Sequence, residues 1–255
     1  MSNIGQVEGL WRYPVKSMRG EQVREAFAGF GGFYGDRWYA IATSGGVKGF
    51  PYLTAREKQT MLLHTPVYRH PDRMKQPPNL AEAQALEPGI TPIYCDADDA
   101  LLDVRTPSGE TLAIDDPKLI ESLREGLPEK HELHLMRSQR ALTDCRPISL
   151  ISNQTARQLD ADPRRFRANI YLDLADGFAE DAYVGKMLRI GSQVIVAVVE
   201  RDPRCKMITL DPDTGDANPE LMRLLAKEHE SKAGVYAAVV VEGIVWAGDP
   251  VTLLA

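Results

Sequence analysis

The chain has 255 residues, 44 % of them hydrophobic and 26 % charged, the make-up of a folded protein with one large or two modest domains. Its 30 basic and 36 acidic residues leave a net charge of −6, which argues against a general nucleic-acid binder or a polybasic membrane binder. Cys95, Cys145 and Cys205 stand far apart with no CxxC pair, so cysteine-built zinc and iron–sulfur sites are excluded and free thiols in a reducing compartment are expected.

In chain order, apolar runs predict strands at residues 4–13, 37–43, 61–67, 101–106 and 110–114, the last two joined through Pro107-Ser108-Gly109. The Pro-rich, polar stretch 70–92 reads as a surface excursion. A helix is predicted at 117–126, where Leu119, Ile120 and Leu123 share a face behind Pro117. Strands follow at 148–151, 169–172, 186–190, 193–199, 235–241 and 251–254, with Gly191-Ser192 as a tight antiparallel connection. Helices are predicted at 152–159, capped by Ser152 or Asn153, and at 219–230, opened by Asn218-Pro219. The fold class is mainly β with a few helices, divided into domains at 1–120 and 121–255.

Cys205 is the residue with the most chemical content. It follows the apolar run 194–199 and stands among Arg201, Arg204 and Lys206, cations that favour the nucleophilic, metal-binding thiolate. The alternative is a small buried hydrophobe. Cys95 and Cys145 are read as structural. Asp211-Pro212-Asp213-Thr214-Gly215 fails the EF-hand spacing and reads as a turn shaping the Cys205 loop. His131 and His134, three apart on a predicted strand, face opposite sides and do not chelate one metal. Gly31-Gly32 and Gly35 lack a nucleotide-loop pattern and read as a turn. Lys16-Ser17, Arg37, Arg56 and Arg167 with Asn169 place basic residues beside small polar ones, the donor types an anionic cofactor requires.

Tyr13-Pro14-Val15-Lys16-Ser17, Gly35-Asp36-Arg37-Trp38 and Leu53-Thr54-Ala55-Arg56 resemble the N-terminal β-barrel domain that accompanies MOSC domains. Phe166-Arg167-Ala168-Asn169-Ile170, Arg204-Cys205, Asp211-Pro212-Asp213-Thr214-Gly215 and Gly248-Asp249-Pro250-Val251 are similar to the MOSC domain itself, in the same order along the chain. The resemblance implies a β-barrel-like N-terminal domain, a MOSC β-barrel domain, and a molybdenum cofactor (molybdopterin), not pyridoxal phosphate, as the bound group. In amidoxime-reducing members of the family a MOSC cysteine ligates molybdenum, and the matching position here is Cys205, as metal ligand and catalytic residue. Family cofactor contacts carry over to Lys16, Ser17, Arg37, Ser152, Asn153, Arg167, Asn169 and Arg204.

The implied activity is reduction of small N-hydroxylated substrates, hydroxylamines and amidoximes. Its electrons would come from a separate electron-donor protein, a flavin or ferredoxin-type reductase. The chain shows neither a ferredoxin-type C-terminal domain nor an N-terminal anchor, and no apolar run approaches the ~20 residues that span a bilayer. A cytoplasmic protein with no nucleic-acid or membrane partner is therefore expected. The alternative is a carrier of the cofactor or its sulfur without turnover. A cofactor-free thiol enzyme is disfavoured because no histidine stands near Cys205 in sequence to act as its base.

Overall fold

The longest strand of the C-terminal half, Val194–Pro203, alternates buried and less buried residues through Val194, Val196 and Val198, the two-residue period of a strand with one face in a core. Its neighbours repeat that pattern. The computed structural model describes residues 2–87, 90, 94, 100–129 and 131–254, so Cys95 lies outside the described residues. Two units are resolved: residues 1–12, 20–33 and 143–255 form one, and residues 13–19 and 34–142 the other.

The first unit is built on a closed barrel of seven strands. Going round it, Ser2–Arg12 is followed by Ile170–Asp173, Ile148–Ser152, Lys232–Val241, Val194–Pro203, Met187–Ile190 and Pro250–Leu253, which pairs back with Ser2–Arg12. Glu21–Val23 extends the sheet beside the first strand. All neighbours are antiparallel except Ile148–Ser152 with Ile170–Asp173. That parallel pair needs a crossover, supplied by the helix Asn153–Gln158 and the 3-10 turn Pro163–Phe166. Val7, Leu10, Leu150, Ile170, Leu188, Val196, Val235 and Val251 fill the interior, as small barrels require. A second core, with Ile151, Phe166, Tyr171, Ile208, Leu221 and Leu225, lies under the helix Glu220–Glu228.

In the second unit, Tyr39–Val47 pairs with Leu133–Arg137 and Phe50–Tyr52. A second sheet joins Thr65–Tyr68, Leu102–Arg105 and Thr111–Ala113. The helix Pro117–Arg124 buries Leu119 and Leu123, and the Asp116 side chain accepts from the Lys118 N–H at its start.

The mainly β class expected from sequence is the class observed. The apolar run at 61–67 divides into a 3-10 helix, Gln59–Leu63, and the strand Thr65–Tyr68. Gly31 and Gly32 belong to a hairpin between Glu25–Gly29 and Gly32–Phe33. No helix among the described residues is long and apolar enough to cross a membrane.

Candidate cofactor site

Cys205 lies just past the end of Val194–Pro203 and opens the 3-10 turn Lys206–Thr209. The Ile208 N–H donates to the Cys205 carbonyl at 3.2 Å, and the Arg204 N–H donates to the Ser231 carbonyl at 2.7 Å. The thiol is therefore presented on a short, doubly tied turn, free and half-buried. Two of the cations near it in sequence are engaged by acidic side chains. Arg201 ion-pairs with Asp181 at 2.8 Å and Glu230 at 3.4 Å, and Arg204 with Asp202 at 2.9 Å. Sequence adjacency does not reveal these partners, which the surrounding fold supplies. Cys145 is exposed, and its thiol is pushed up by burial of the sulfur and by Asp144, Asp202 and Glu200.

Arg167 occupies the left-handed region (φ 52°) at the end of the turn Pro163–Phe166. That turn forms because Asp162 accepts from the Arg164 N–H at 2.8 Å and Pro163 fixes the next φ. Two arginines fasten the turn to the loop after Cys205. Arg165 reaches the Thr209 carbonyl (3.0 Å) and Asp211 (2.8 Å), and Arg164 reaches both oxygens of Asp213 (3.1 and 2.6 Å). Asp211 also accepts from the N–H groups of Asp213 and Thr214, so the segment read against calcium binding is a turn with its carboxylates engaged by protein.

Asn169 is buried, its Oδ1 accepting from the Ser149 N–H at 3.2 Å and its Nδ2 donating to the Trp11 carbonyl at 3.3 Å. Ser152 is buried and caps the helix Asn153–Gln158 through the Gln154 N–H. The Oδ1 of Asn153 is buried with no hydrogen-bond partner. Asn153 lines a cleft of about 290 Å³ with Trp11, Arg164 and Tyr171, whose lining does not include Cys205.

In the second unit the segment from Tyr13 runs beside Arg37–Tyr39. The Arg37 N–H donates to the Tyr13 carbonyl at 2.6 Å and the Lys16 N–H to the Tyr39 carbonyl at 2.8 Å. Lys16, Ser17 and Arg37 are thereby brought together from two segments. Asp36, fully buried, accepts from the Tyr13 N–H at 2.7 Å and from Arg37 at 2.5 Å. Lys16 is only 5 % exposed, donates to the Leu142 carbonyl at 2.8 Å, and has its ammonium 4.8 Å from the Tyr52 ring and 5.2 Å from that of Phe50. Arg56 sits 4.8 Å over the same Phe50 ring. Sequence reasoning did not find Phe50 and Tyr52, since a three-residue strand has no period to read.

Ser17 (φ 66°), Arg37 (φ 50°) and Arg167 (φ 52°) are three of the seven described non-glycine residues with positive φ. Such conformations are costly for residues with a Cβ and concentrate at binding sites, where they turn backbone N–H groups toward anions. Within the first unit, the soft Cys205 thiol, the Arg167 side chain on left-handed backbone and the orphaned buried Asn153 oxygen are donor types that fit a thiolate-held metal and an anionic organic cofactor.

The chain matches the MOSC N-terminal beta barrel domain over residues 4–125 and the MOSC domain over residues 137–252. It is 25 % identical over 249 residues to mitochondrial amidoxime reducing component 2 of Rattus norvegicus, covering 84 % of this chain and 69 % of that protein. Over 117 residues it is 33 % identical to the molybdenum cofactor sulfurase of Drosophila pseudoobscura pseudoobscura, covering 45 % of this chain and 14 % of that protein. Among solved structures, the YUAD protein from Bacillus subtilis aligns with 97 % of this chain and 93 % of its own at 14 % identity, with a TM-score of 0.44. With Cys205 in the stretch matched to one domain and Lys16, Ser17 and Arg37 in the stretch matched to the other, this chain belongs to the MOSC proteins that carry the N-terminal beta barrel domain.

Proposed function

We propose that this protein holds a molybdenum cofactor through Cys205 and reduces small N-hydroxylated compounds with electrons from a separate protein. The observation that carries the reading is the free, half-buried Cys205 thiol, tied on a short turn in the MOSC domain of a chain related to molybdenum-cofactor proteins. Cys205 binds as the thiolate, which means giving up its proton when the metal arrives. Lys16, Arg37 and Arg167 supply charge to the anionic pterin side, where charge-assisted hydrogen bonds are the strongest available. Ser17 and Asn153 supply neutral hydrogen bonds and orient it, while Ser152 and Asn169, buried and engaged by protein, hold the neighbouring backbone in place. When bound, the cofactor supplies the two-electron chemistry by which R–NHOH, two electrons and two protons become R–NH₂ and water.

The test is molybdenum content after expression with molybdate, followed by turnover of an aryl amidoxime with reduced viologen as donor. About one molybdenum per chain with turnover is the expected result. The match to a cofactor sulfurase over 117 residues favours one second reading, a carrier of the cofactor or its sulfur. Stoichiometric molybdenum without turnover would establish that reading instead, and absence of molybdenum would overturn both.

A further inference from the structure

Arg204 precedes the cysteine, and the family resemblance makes it a cofactor contact. Its surroundings give it a different task. The side chain is 8 % exposed and the Asp202 side chain it pairs with is 3 % exposed. The Arg204 Nε donates to the Ala233 carbonyl at 2.7 Å, Nη1 donates to the Phe166 carbonyl at 2.8 Å, and Nη2 lies 2.9 Å from the Asp202 carboxylate. The guanidinium also lies over the Phe166 ring, 5.4 Å from its centre. Nε and Nη1 are thus hydrogen-bonded to carbonyls from two different segments, while Nη2 is ion-paired to Asp202 without an aligned hydrogen bond.

The backbone is shaped around this group. Gly234 adopts φ +75°, and a Cβ there would stand 3.0 Å from Arg204 Nη2 and 2.7 Å from the Leu150 carbonyl. Only glycine adopts this conformation clear of the Leu150 carbonyl, and a Cβ there would also press on the guanidinium. Lysine cannot replace it, because one ammonium on a flexible stem does not reproduce a planar fork.

We infer that Arg204 is a positioning residue that fastens the Cys205 turn to the turn preceding Arg167, and is not itself a contact to the cofactor's anionic group. Phe166 is the residue before Arg167, and Arg204 the residue before Cys205, so one buried fork sets the spacing of both. The bearing on the metal rests on Cys205 as its ligand; the positioning itself is independent of that.

The experiment is peptide-resolved alkylation of Cys205 by iodoacetamide in the full chain, alongside the melting temperature and molybdenum content. Arg204→Lys and Asp202→Asn should both speed Cys205 alkylation roughly tenfold at temperatures where each variant stays folded, as the first loses buried charged hydrogen bonds and the second the buried ion pair that holds the fork, and either loss loosens the turn. In Arg204→Ala, millimolar free guanidinium should slow alkylation back toward the parent rate by refilling the hole. Molybdenum content should fall in Asp202→Asn.

Alkylation within twofold of the parent in both Arg204→Lys and Asp202→Asn would overturn the inference. So would unchanged or higher molybdenum in Asp202→Asn, because releasing a direct anion contact from its carboxylate would strengthen it. If Arg204→Ala does not fold, the Asp202→Asn result decides. A parent protein that takes up no molybdenum would defeat the functional proposal while the alkylation arms still judge the positioning.

Discussion

At residue scale, Cys205 and Cys145 differ in what surrounds the sulfur. Cys205 sits half-buried on a tied turn, whereas Cys145 faces three carboxylates that oppose its ionisation. Cys205→Ser should abolish molybdenum retention and amidoxime turnover while changing unfolding stability by less than ~1 kcal/mol, the substitution being nearly isosteric. Cys145→Ser should leave both measurements intact, and equal losses in the two variants would assign Cys205 a structural role. Glu180 gives a second prediction. Burial raises its carboxyl to about 7 against the hydrogen bonds it accepts, one of them from Thr155 at 2.8 Å, and its second oxygen has no partner. The native state holds this proton to about pH 7 while an unfolded carboxyl releases it near 4.5, so stability falls across that window. Glu180→Gln should remove the fall, gaining on the order of 3 kcal/mol relative to the parent between pH 5 and pH 8 in urea unfolding. Parallel pH profiles for the two proteins would contradict it.

At the scale of elements, Gly234 within Lys232–Val241 has positive φ and is closely approached by its neighbours, while Gly185 has positive φ but open space around it. Gly234→Ala should cost ~2–4 kcal/mol, through strained backbone and contact with Leu150 and Arg204. Gly185→Ala should cost only ~1 kcal/mol, the backbone share alone. Equal losses in chemical unfolding would refute the close-approach account. The same scale explains what the sequence revealed. Val194–Pro203 and Lys232–Val241 were readable because their apolar residues run long enough to signal a strand, and the helix Pro117–Arg124 because Pro117 opens a one-sided apolar face. Gly32–Phe33 and Phe50–Tyr52 were not, because two or three residues carry no period. At the site, Cys205 stood out by following an apolar strand. The engagement of Arg204 with Phe166 and Ala233 did not, because partners 38 and 29 residues away are chosen by the fold. Nor did the left-handed backbone of Ser17, Arg37 and Arg167, since no glycine marks it.

At the scale of the whole molecule, the net charge of −6 sets terms for an electron donor. Arg201, near Cys205 in sequence, and Lys232, two cations that an acidic partner would seek, are paired with Asp181 and Glu230. Docking of an acidic donor would then depend on few local cations, so its reduction rate should fall steeply as salt rises from 20 to about 200 mM, measured by stopped flow. A salt-independent rate would point to an apolar docking surface instead. Molybdenum-loaded protein given NADH and a hydroxylamine alone should show no steady turnover, because the sequence carries no dinucleotide-binding GxGxxG.

The barrel closes where Ser2–Arg12 meets Pro250–Leu253, with Ser2 opposite Leu253. On a ribosome adding ~5–20 residues per second, the first strand emerges on the order of ten seconds or more before the strand that completes its pairing. Until then one of its edges offers unpaired N–H and C=O groups to any passing chain. During synthesis the strand Ser2–Arg12 is therefore open to misassociation, and a chaperone that shields it before Pro250–Leu253 emerges should raise the soluble yield more than one acting after release.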